Sequence, residues 1–378
     1  MDRSNPVPIA IIGYGYRLPG GIKNDDEFWK LISERGFVQE PIEDRYGKGQ
    51  CPHDGFDSPM RVASPYEGLI KDGEELHFDC ALFGMSPNDA KRMDPQCKMM
   101  LSCTWEALEM AGLDQASLHN SNTGVFCGVQ VSSCAGWRPP FGATPSDVPG
   151  KSLSMISNRI SFHFNWMGPS FSVATACSSG ITALDAAIKS LSLGECDLAA
   201  SGAVNYLGHE VGSIGFNQLG IISKTGTSRS FDKDANGYMR AEGAFMYLLK
   251  RLPDAERDGD RIFAVIRGCG LNTAGAEKDA DVLTQGRMIV APVPPTPRPH
   301  APRVPSPPRA TAPTRARSRS RHLTGRAMPG LGPFGQANCT RDAPEMHPSC
   351  AASCCASWPC LLSMLGPLSS RRLCSHLP

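Results

Sequence analysis

Apolar runs and amphipathic segments alternate along most of this chain. Residues 8–16, PIAIIGYGY, form a β-branched apolar run that ends at glycines, which predicts a buried strand. Residues 25–36, DDEFWKLISERG, begin with acidic side chains and space their apolar positions for one face, which predicts an amphipathic helix. Residues 94–112 predict the clearest helix, because an Asp-Pro pair opens this segment and a glycine closes it.

The same alternation continues towards residue 272. Further strands are predicted at 123–129, 169–176, 197–208, 242–251 and 260–272. A helix is predicted at 178–195, where four apolar residues share one face: Ile181, Leu184, Ile188 and Leu191. Between the first helix and about residue 75 the chain is polar and rich in Pro and Gly, which predicts a loop. Strands that alternate with helices indicate an α/β fold in which helices cover a buried sheet.

Charge and proline divide the chain near Pro292. Residues 1–291 carry 27 Lys+Arg and 35 Asp+Glu, a net charge of −8. Residues 292–378 carry 11 Arg, no Lys and two acids, a net charge of +9, and they hold 17 of the 32 prolines. The near-neutral total therefore hides two segments of different composition.

Targeting and cysteine patterns bear on the compartment. The N-terminus has no basic segment followed by a long apolar core, so we expect no secretory signal. No apolar run reaches the roughly 18–20 residues of a membrane span. Nine cysteines precede residue 292, and none forms a C-x-x-C pair, which argues against a zinc site and a disulfide framework. We expect an intracellular, most simply cytoplasmic, chain with reduced thiols.

The stretch VATACSSG, residues 173–180, places Cys177 between a predicted strand and a predicted helix. Unpaired N–H groups and the dipole at a helix N-terminus favour an anion, and they lower the pKa of such a thiol from about 8.5. The small neighbours leave room for an acyl chain. Cys177 is therefore a candidate nucleophile, while spacing alone leaves open the alternative of a buried structural cysteine.

Two motifs suggest ligand loops but depart from the patterns they approach. Residues 13–21, GYGYRLPGG, lack the third glycine of a dinucleotide loop, because Leu18 stands in its place. Residues 232–243, DKDANGYMRAEG, begin like a calcium loop, but Gly243 replaces the bidentate acid and Glu242 is one place early. A tight Asx and Gly turn is the better prediction for that segment. We identify no metal-ligating or cofactor-binding residue.

A basic repeat and two histidines complete the candidates. Residues 315–322, RARSRSRH, could contact RNA or phosphate, but they lie in the Pro-rich tail without an aromatic residue for stacking. A solvated, disordered charge run is the default prediction. His163 and His209 lie outside any motif that marks a general base, so we predict structural roles for both.

Several segments, in their order along the chain, are similar to signature segments of one family. They are IAIIGYGYRLPGG with EFWKLISERG, FDCALFGMSPNDAKRMDPQCKMMLSCTWEALEMAG, NRISFHFNWMGPSFSVATACSSG, GECDLAASGAVN and SRSFDKDANGYMRAEGA. The chain thereby resembles the β-ketoacyl synthase (ketosynthase) domain of type I polyketide synthases and fatty-acid synthases. The resemblance assigns residues 7–255 to the N-terminal domain and 256–292 to an incomplete start of the C-terminal domain. Residues 293–378 remain as a Pro-, Arg- and Ser-rich tail, predicted to be disordered.

The resemblance implies a thiolase-like layered α/β/α/β/α fold, here truncated, and a homodimer where the full fold is present. It implies an acyltransferase in which Cys177 receives an acyl group from a carrier-protein thioester. A malonyl-type extender is then decarboxylated and condensed onto that acyl group. Phosphopantetheine arrives on the acyl carrier protein, so no bound cofactor and no nucleic acid are expected.

The sequence departs from the family pattern at several positions. Ala174 stands where the family commonly has an acidic residue before Thr175, and Cys97 and Lys98 replace a more usual Gln-Arg pair. The family also draws two histidines from HGTGT-like and GH-containing segments, with a lysine between them, and neither segment occurs here. We therefore expect an incomplete ketosynthase that at most accepts an acyl group on Cys177.

The tail after residue 292 bears on the alternatives. It resembles translated intron or a shifted reading frame more than an evolved segment, and a disordered interaction tail is the alternative. A catalytically silent partner that pairs with a full ketosynthase is a second interpretation of the whole chain. An RNA-associated protein that acts through the Arg/Ser tail is a third.

Overall fold

The computed structural model describes residues 7–22, 24–46, 62, 64–70, 78–131, 145 and 147–272, with the backbone of one further strand at 285–291. The strands are β1 (Ile9–Arg17), β2 (Glu40–Pro41), β3 (Tyr66–Glu67), β4 (Thr123–Val129), β5 (Ser170–Val173), β6 (Leu198–Asn205), β7 (Gly243–Arg251), β8 (Ala264–Asn272) and β9 (Gln285–Ala291). The helices are α1 (Asp25–Ser33), α2 (Ile42–Tyr46), α3 (Pro87–Arg92), α4 (Pro95–Ala111), α5 (Asp147–Lys151), α6 (Ser154–Phe164), α7 (Ser179–Leu193), α8 (Glu210–Gln218) and α9 (Leu252–Asp258). A 3₁₀ turn spans Ala116–Leu118.

Seven of the strands form one mixed sheet in the order β5-β4-β6-β7-β1-β8-β9. Strand β4 pairs in parallel with β5 and β6, whereas all other neighbours in this sheet are antiparallel. Strands β2 and β3 form a separate two-stranded ribbon. The parallel part brings the carboxyl ends of β4, β5 and β6 to one edge, which is where ligands bind in open α/β sheets.

Helices cover both faces of the sheet, as the alternation of elements predicts. Helix α4 packs across β1, β7 and β6 and against α6, and its fully buried Met100 and Leu101 belong to the core of that face. Helix α7 packs on β4 and β6 from the opposite face, where its Leu184 and Leu191 meet Leu249 of β7. Complete burial of such a side chain stabilises the fold by roughly 1.5–3 kcal/mol.

Helix α4 has the end signals that its sequence predicts. The Asp94 side chain accepts a hydrogen bond from the Gln96 N–H at 2.9 Å, and Pro95 occupies the first helical position. Gly112 ends the helix with a left-handed φ of +67°. An L side chain would be strained in that conformation, so glycine fits this end.

The glycines of the GYGY segment allow β1 and α4 to meet closely. A Cβ atom on Gly13 would lie 2.3 Å from the carbonyl oxygen of Ala107, and one on Gly15 would lie 2.3 Å from that of Cys103. These two glycines therefore serve strand-to-helix packing. Their role agrees with the absence of a dinucleotide fingerprint in the sequence.

The structure refines several predicted boundaries. The helix predicted at 25–36 ends at Ser33, because Arg35 adopts a positive φ of 53° and the Gly36 N–H bonds the Leu31 carbonyl. The strand predicted at 169–176 is only four residues long, because the chain turns before Cys177. The segment predicted as a loop up to residue 75 contains β2, α2 and β3, which are too short to produce a periodic pattern.

The prediction of an α/β, thiolase-like fold is confirmed for the described residues. They form the seven-stranded sheet and the helical layers on its two faces. The tail at 293–378, with its predicted disorder, lies outside them. None of the described helices combines the length and apolar character that a bilayer crossing requires.

Candidate active site

Cys177 lies in the turn between β5 and α7, where the sequence predicts it. Strand β5 ends at Val173 and α7 begins at Ser179, so the cysteine comes just before the first turn of a 15-residue helix. Ala176, directly before it, has a left-handed φ of +51°, which costs a non-glycine residue about 1–3 kcal/mol. The turn leaves Cys177 exposed.

Hydroxyl groups on both sides of the cysteine hold this strained turn. The Ser179 hydroxyl donates to the Ala176 carbonyl at 2.6 Å and accepts from the Thr175 N–H at 2.9 Å. The Ser178 hydroxyl donates to the Thr175 carbonyl at 2.7 Å. The Thr175 and Thr182 hydroxyls lie 2.9 Å apart and share a hydrogen bond. Each such bond contributes about 1 kcal/mol, so together they offset the backbone cost at Ala176.

A glycine on the sheet brings the start of α7 close to β4. A Cβ atom on Gly128 would lie 2.5 Å from the carbonyl carbon of Ser179 and 2.6 Å from the nitrogen of Gly180. Real Cβ atoms do not approach backbone that closely, so Gly128 is required for this packing. The N-terminus of α7 therefore rests directly on the carboxyl end of β4.

A cavity of about 230 Å³ opens beside Cys177. Its lining comes from the carboxyl ends of β4 and β6, from α8 and from the segment that leads into β7. The residues of the lining that matter below are Cys177, Gly128, Phe216, Tyr238, Arg240 and Glu242. A concave, largely apolar space with a candidate nucleophile at its edge is the usual form of a small-ligand site.

One wall of the cavity is formed by Phe216 of α8. The Arg240 guanidinium carbon lies 5.0 Å from the centroid of the Phe216 ring, and the Tyr238 ring meets it edge-on with centroids 6.4 Å apart. The Arg240 guanidinium also donates to the Ser213 hydroxyl, one turn earlier on the helix. Phe216 is thus held between an aromatic edge and a cation.

Glu242 also lines the cavity, and its side chain has no exposed surface. Its carboxylate accepts from the Arg45 guanidinium at 2.7 Å and from the backbone N–H groups of Ile70 at 2.8 Å and Leu207 at 2.9 Å. Burial raises the pKa of the Glu242 carboxyl, whereas Arg45 and the two N–H groups favour its charged form. These contacts join the segment of Glu242 to three others, so Glu242 has a structural role here.

A second buried carboxyl group, Glu67, lies behind α8. It accepts from the Ser213 hydroxyl and, at 2.9 Å, from the Tyr46 hydroxyl. Burial raises the pKa of Glu67, against the opposing influence of Arg240, Ser213 and Tyr46. Burial and the Glu67 charge both raise the pKa of Tyr46.

The two histidines have the structural roles that the sequence predicts. The His163 ring packs against Phe83 and Phe164 with centroids 4.9 and 4.7 Å apart, and burial lowers the pKa of His163. The His209 Nδ1 accepts from the Val211 N–H at 3.1 Å and caps α8. Neither of these described histidines lines the cavity beside Cys177.

The segment that resembles a calcium loop forms the predicted turn. The Asp234 N–H donates to the Asp232 carboxylate at 2.8 Å, which is an Asx turn, and Gly237 follows with a φ of +124°. Among the residues that the structure describes, no three His, Cys, Asp or Glu side chains are grouped to hold a metal ion.

The positions that depart from the family pattern differ in their environments. The Cys97 thiol is buried and donates to the Met155 carbonyl at 3.1 Å, and Lys98 is 7% exposed. Ala174 is exposed next to the site.

The sequence did not reveal the contributions of Arg240 and Glu67, because they reach α8 from distant segments. The only sequence signal for these two residues was a charged side chain close to an apolar segment. Such a side chain becomes buried in the fold and must then find a partner for its charge.

Comparison with known proteins agrees with this geometry. Residues 7–255 match the family model described as β-ketoacyl synthase, N-terminal domain. The chain is 36% identical over 289 residues to probable polyketide synthase 1 of Dictyostelium discoideum, a match that covers 75% of this chain and 9% of that protein. It is 38% identical over 295 residues to the phthioceranic/hydroxyphthioceranic acid synthase of Mycobacterium bovis, covering 75% and 14%.

Solved structures give the same result. An oxazolomycin ketosynthase domain from Streptomyces albus matches with a TM-score of 0.64 and 32% identity, over 72% of this chain and 47% of that chain. The ketosynthase from module 6 of the bacillaene synthase of Bacillus subtilis matches with a TM-score of 0.62 and 29% identity, over 72% and 45%. The chain thus spans under half of these domains and a small part of the curated relatives. The match of residues 7–255, taken with the fold and these relatives, shows that the chain belongs to the β-ketoacyl synthase family.

Proposed function

We propose that this chain carries the acyl-accepting centre of a polyketide ketosynthase and that Cys177 is its nucleophile. The observation that supports this most directly is the exposed Cys177 at the start of α7, on the lining of a cavity. The first N–H groups of a helix and its dipole favour a thiolate at this place. The strained turn at Ala176, held by the neighbouring hydroxyls, fixes the backbone that carries Cys177.

The first step in the proposal is acyl transfer. The Cys177 thiolate attacks the carbonyl carbon of an acyl group that is linked as a thioester to the phosphopantetheine of an acyl carrier protein. The resulting oxyanion collapses, the carbon–sulfur bond to pantetheine breaks, and the pantetheine thiolate takes up the proton that Cys177 had lost. We propose that backbone N–H donors near Cys177 stabilise the oxyanion, as the family resemblance implies.

The second step is condensation. A malonyl-type extender loses CO₂, its enolate carbon attacks the acyl-Cys177 carbonyl, a carbon–carbon bond forms, and the Cys177 thiolate leaves. The family draws two histidines for this step from segments that the sequence lacks. Losing one preorganised donor costs roughly 10²–10³ in rate. We therefore propose that this chain alone accepts the acyl group and does not condense it.

The proposal extends to partners. Ketosynthase domains work with acyl carrier protein domains in polyketide synthases, so we propose a carrier protein as the donor of both thioesters. Pantetheine would arrive on that carrier, and this chain would hold no cofactor of its own. We propose an intracellular setting and a homodimer once the second half of the fold is supplied.

The proposal is tested by incubating the full chain with hexanoyl N-acetylcysteamine thioester and measuring intact mass. We expect one acyl adduct, mapped to the Cys177 peptide and lost in Cys177→Ala. The same substitution at the half-buried Cys80 is the matched control and should keep the adduct. Absence of any adduct would favour the silent-partner interpretation. If this chain alone condensed the acyl group with a malonyl thioester, the proposal that it accepts the acyl group without condensing it would be contradicted.

A further inference from the structure

We propose that Arg240 is a positioning residue that fixes Phe216 as a wall of the cavity, and thereby restricts which chains reach Cys177. The inference deepens the proposed function, on which it rests for the identity of the occupant. The position of the wall itself is a property of the fold and is testable without acyl transfer.

Arg240 fits a groove on the surface of α8. A Cβ atom on Gly212 would lie only 3.1 and 3.2 Å from the two terminal nitrogens of the guanidinium, so the absent side chain creates its space. One turn further along the helix, the same guanidinium lies over the Phe216 ring, 5.0 Å from its centroid. Residues four apart share one helix face, so Gly212 and Phe216 together form the surface on which the Arg240 guanidinium lies. This surface is called the seat below.

The seat has a buried polar side. The guanidinium donates to the Ser213 hydroxyl, which in turn donates to Glu67. Ser213 is 0% exposed and Glu67 is 2% exposed, so both groups lie where hydrogen bonds and charge are weakly screened by water. The Tyr46 hydroxyl completes the set by donating to Glu67 at 2.9 Å. Arg240 is therefore held by a hydrogen-bonded chain that ends in a carboxyl group.

The opposite face of α8 has a further, apolar support. Ile214 belongs to a small core cluster with Ile42 and Val62, and Tyr46 packs against that cluster. Position 214 lies about half a turn away from the face that carries Gly212 and Phe216. The helix stays in place through this cluster, while the setting of the Phe216 ring depends on Arg240 on one side and on Tyr238 on the other.

These contacts allow Arg240 to act on the cavity through Phe216, in addition to its own place in the lining. Both Arg240 and Phe216 line the cavity that contains Cys177. Removal of the guanidinium takes away the cation over the ring and leaves an open space above Gly212. The Phe216 ring is then free to move into that space, and the cavity becomes wider for long chains.

The test measures access to Cys177 with reagents that need no acyl transfer. The full chain is treated with N-ethylmaleimide and with N-octylmaleimide, and the labelling rate of the Cys177 peptide is followed by mass spectrometry. In Arg240→Met we expect the ratio of octyl to ethyl labelling rates to rise about threefold to tenfold, the range that a cation–π contact supports. Arg240→Lys, which keeps the cation, should restore part of the wild-type ratio.

The matched control is Arg229→Met, the same substitution at an exposed arginine. It should leave the ratio at its wild-type value. Gly212→Ala provides a second way to disturb the seat, because its methyl group forces the end of the guanidinium to shift by a few tenths of an ångström while alanine favours the helix. Because the methyl group also fills part of the space above Gly212, this variant should raise the ratio by less than Arg240→Met, and it is measurable even if Arg240→Met does not fold. A ratio in both seat variants equal to that of Arg229→Met would overturn the inference.

The acyl series separates this inference from the proposed function. Acetyl, butyryl, hexanoyl and octanoyl N-acetylcysteamine thioesters are offered to the wild-type chain and to Arg240→Met. If the maleimide ratio changes and no thioester loads either protein, the wall is confirmed and the proposed function fails. If thioesters load both proteins with the same chain-length preference and the maleimide ratio is unchanged, the proposed function stands and the role of Arg240 is refuted.

Discussion

The guanidinium of Arg45 lies 2.7 Å from the carboxylate of Glu242, whose side chain has no exposed surface. This pair connects α2 to the residue that precedes β7, almost 200 positions later in the chain. The Arg45 guanidinium also lies over the Tyr206 ring, 4.5 Å from its centroid. One side of the cavity is therefore supported by an ion pair that closes a long loop of chain.

Loss of Arg45 should destabilise the fold strongly. In Arg45→Met the Glu242 carboxylate remains buried without its cation, and we expect a loss of roughly 3 kcal/mol in the free energy of unfolding. Urea unfolding followed by tryptophan fluorescence measures this change. Arg229→Met, at an exposed position, should stay within about 0.5 kcal/mol of wild type. Equal midpoints for the two variants would show that the pair contributes little.

The left-handed backbone at Ala176 predicts a marked dependence on residue type. Ala176→Gly should keep acyl loading of Cys177, because glycine adopts a φ of +51° without strain. Ala176→Val should lower the loading rate by about tenfold or more, because a β-branched residue strongly disfavours this region. The same change at the exposed Ala174 is the control and should have a small effect. Wild-type loading by Ala176→Val would argue against the strained turn.

Gly128→Ala should disturb the start of α7. Its Cβ would meet the Ser179 backbone at 2.5 Å, so β4 or the start of the helix would have to shift. We expect a loss of about 1–3 kcal/mol, as for other overpacked sites, and slower acylation of Cys177. Gly268→Ala, in open space on β8, should change stability by less than about 1 kcal/mol. Thermal unfolding and intact-mass kinetics on both variants distinguish these outcomes.

Glu67 predicts a particular pH dependence of stability. Burial raises the pKa of this carboxyl above its usual 4.5, so the folded chain retains a proton that the unfolded chain releases. The contribution of Glu67 protonation to the free energy of unfolding is therefore present in full below pH 4.5 and is lost as the pH rises through the pKa of Glu67 in the folded chain.

Glu67→Gln resembles the neutral carboxyl group at every pH and should flatten this decline. The urea midpoint, measured from about pH 4 to pH 8, provides the comparison. Glu43→Gln, at an exposed position on α2, is the matched control and should keep the wild-type slope. A decline in Glu67→Gln as steep as that of the wild-type chain would assign the pH dependence to other groups.

The main elements were predictable from the sequence because their signals are local. Helix α4 carries its Asp and Pro start and its glycine end within one segment, and α7 (Ser179–Leu193) lies within the predicted helix at 178–195. The Asp185 and Lys189 pair on α7 also forms, because residues four apart are neighbours on a helix. Such features require no knowledge of distant contacts.

The wall of the site was not predictable, because it depends on residues that are remote in the chain. Glu67 lies in a segment without periodicity, and Arg240 lies in a polar turn, yet both reach the same side of α8. No local sequence pattern predicts that Glu67 and Arg240 lie together against α8. The candidate role of Cys177 also needed more than its spacing, since spacing alone favoured a buried structural cysteine until the family resemblance was considered.

The bare contact between β1 and α4 has a mechanical consequence. At Gly13 and Gly15 the backbone of the strand lies against the backbone of the helix with no side chain between them, so there is no deformable layer at this joint. A helix in such a position cannot slide or roll without driving atoms into each other. The strand and helix should therefore move as one rigid body. Any conformational change that is needed to admit a long acyl chain should occur in α8 and in the segment around Arg240.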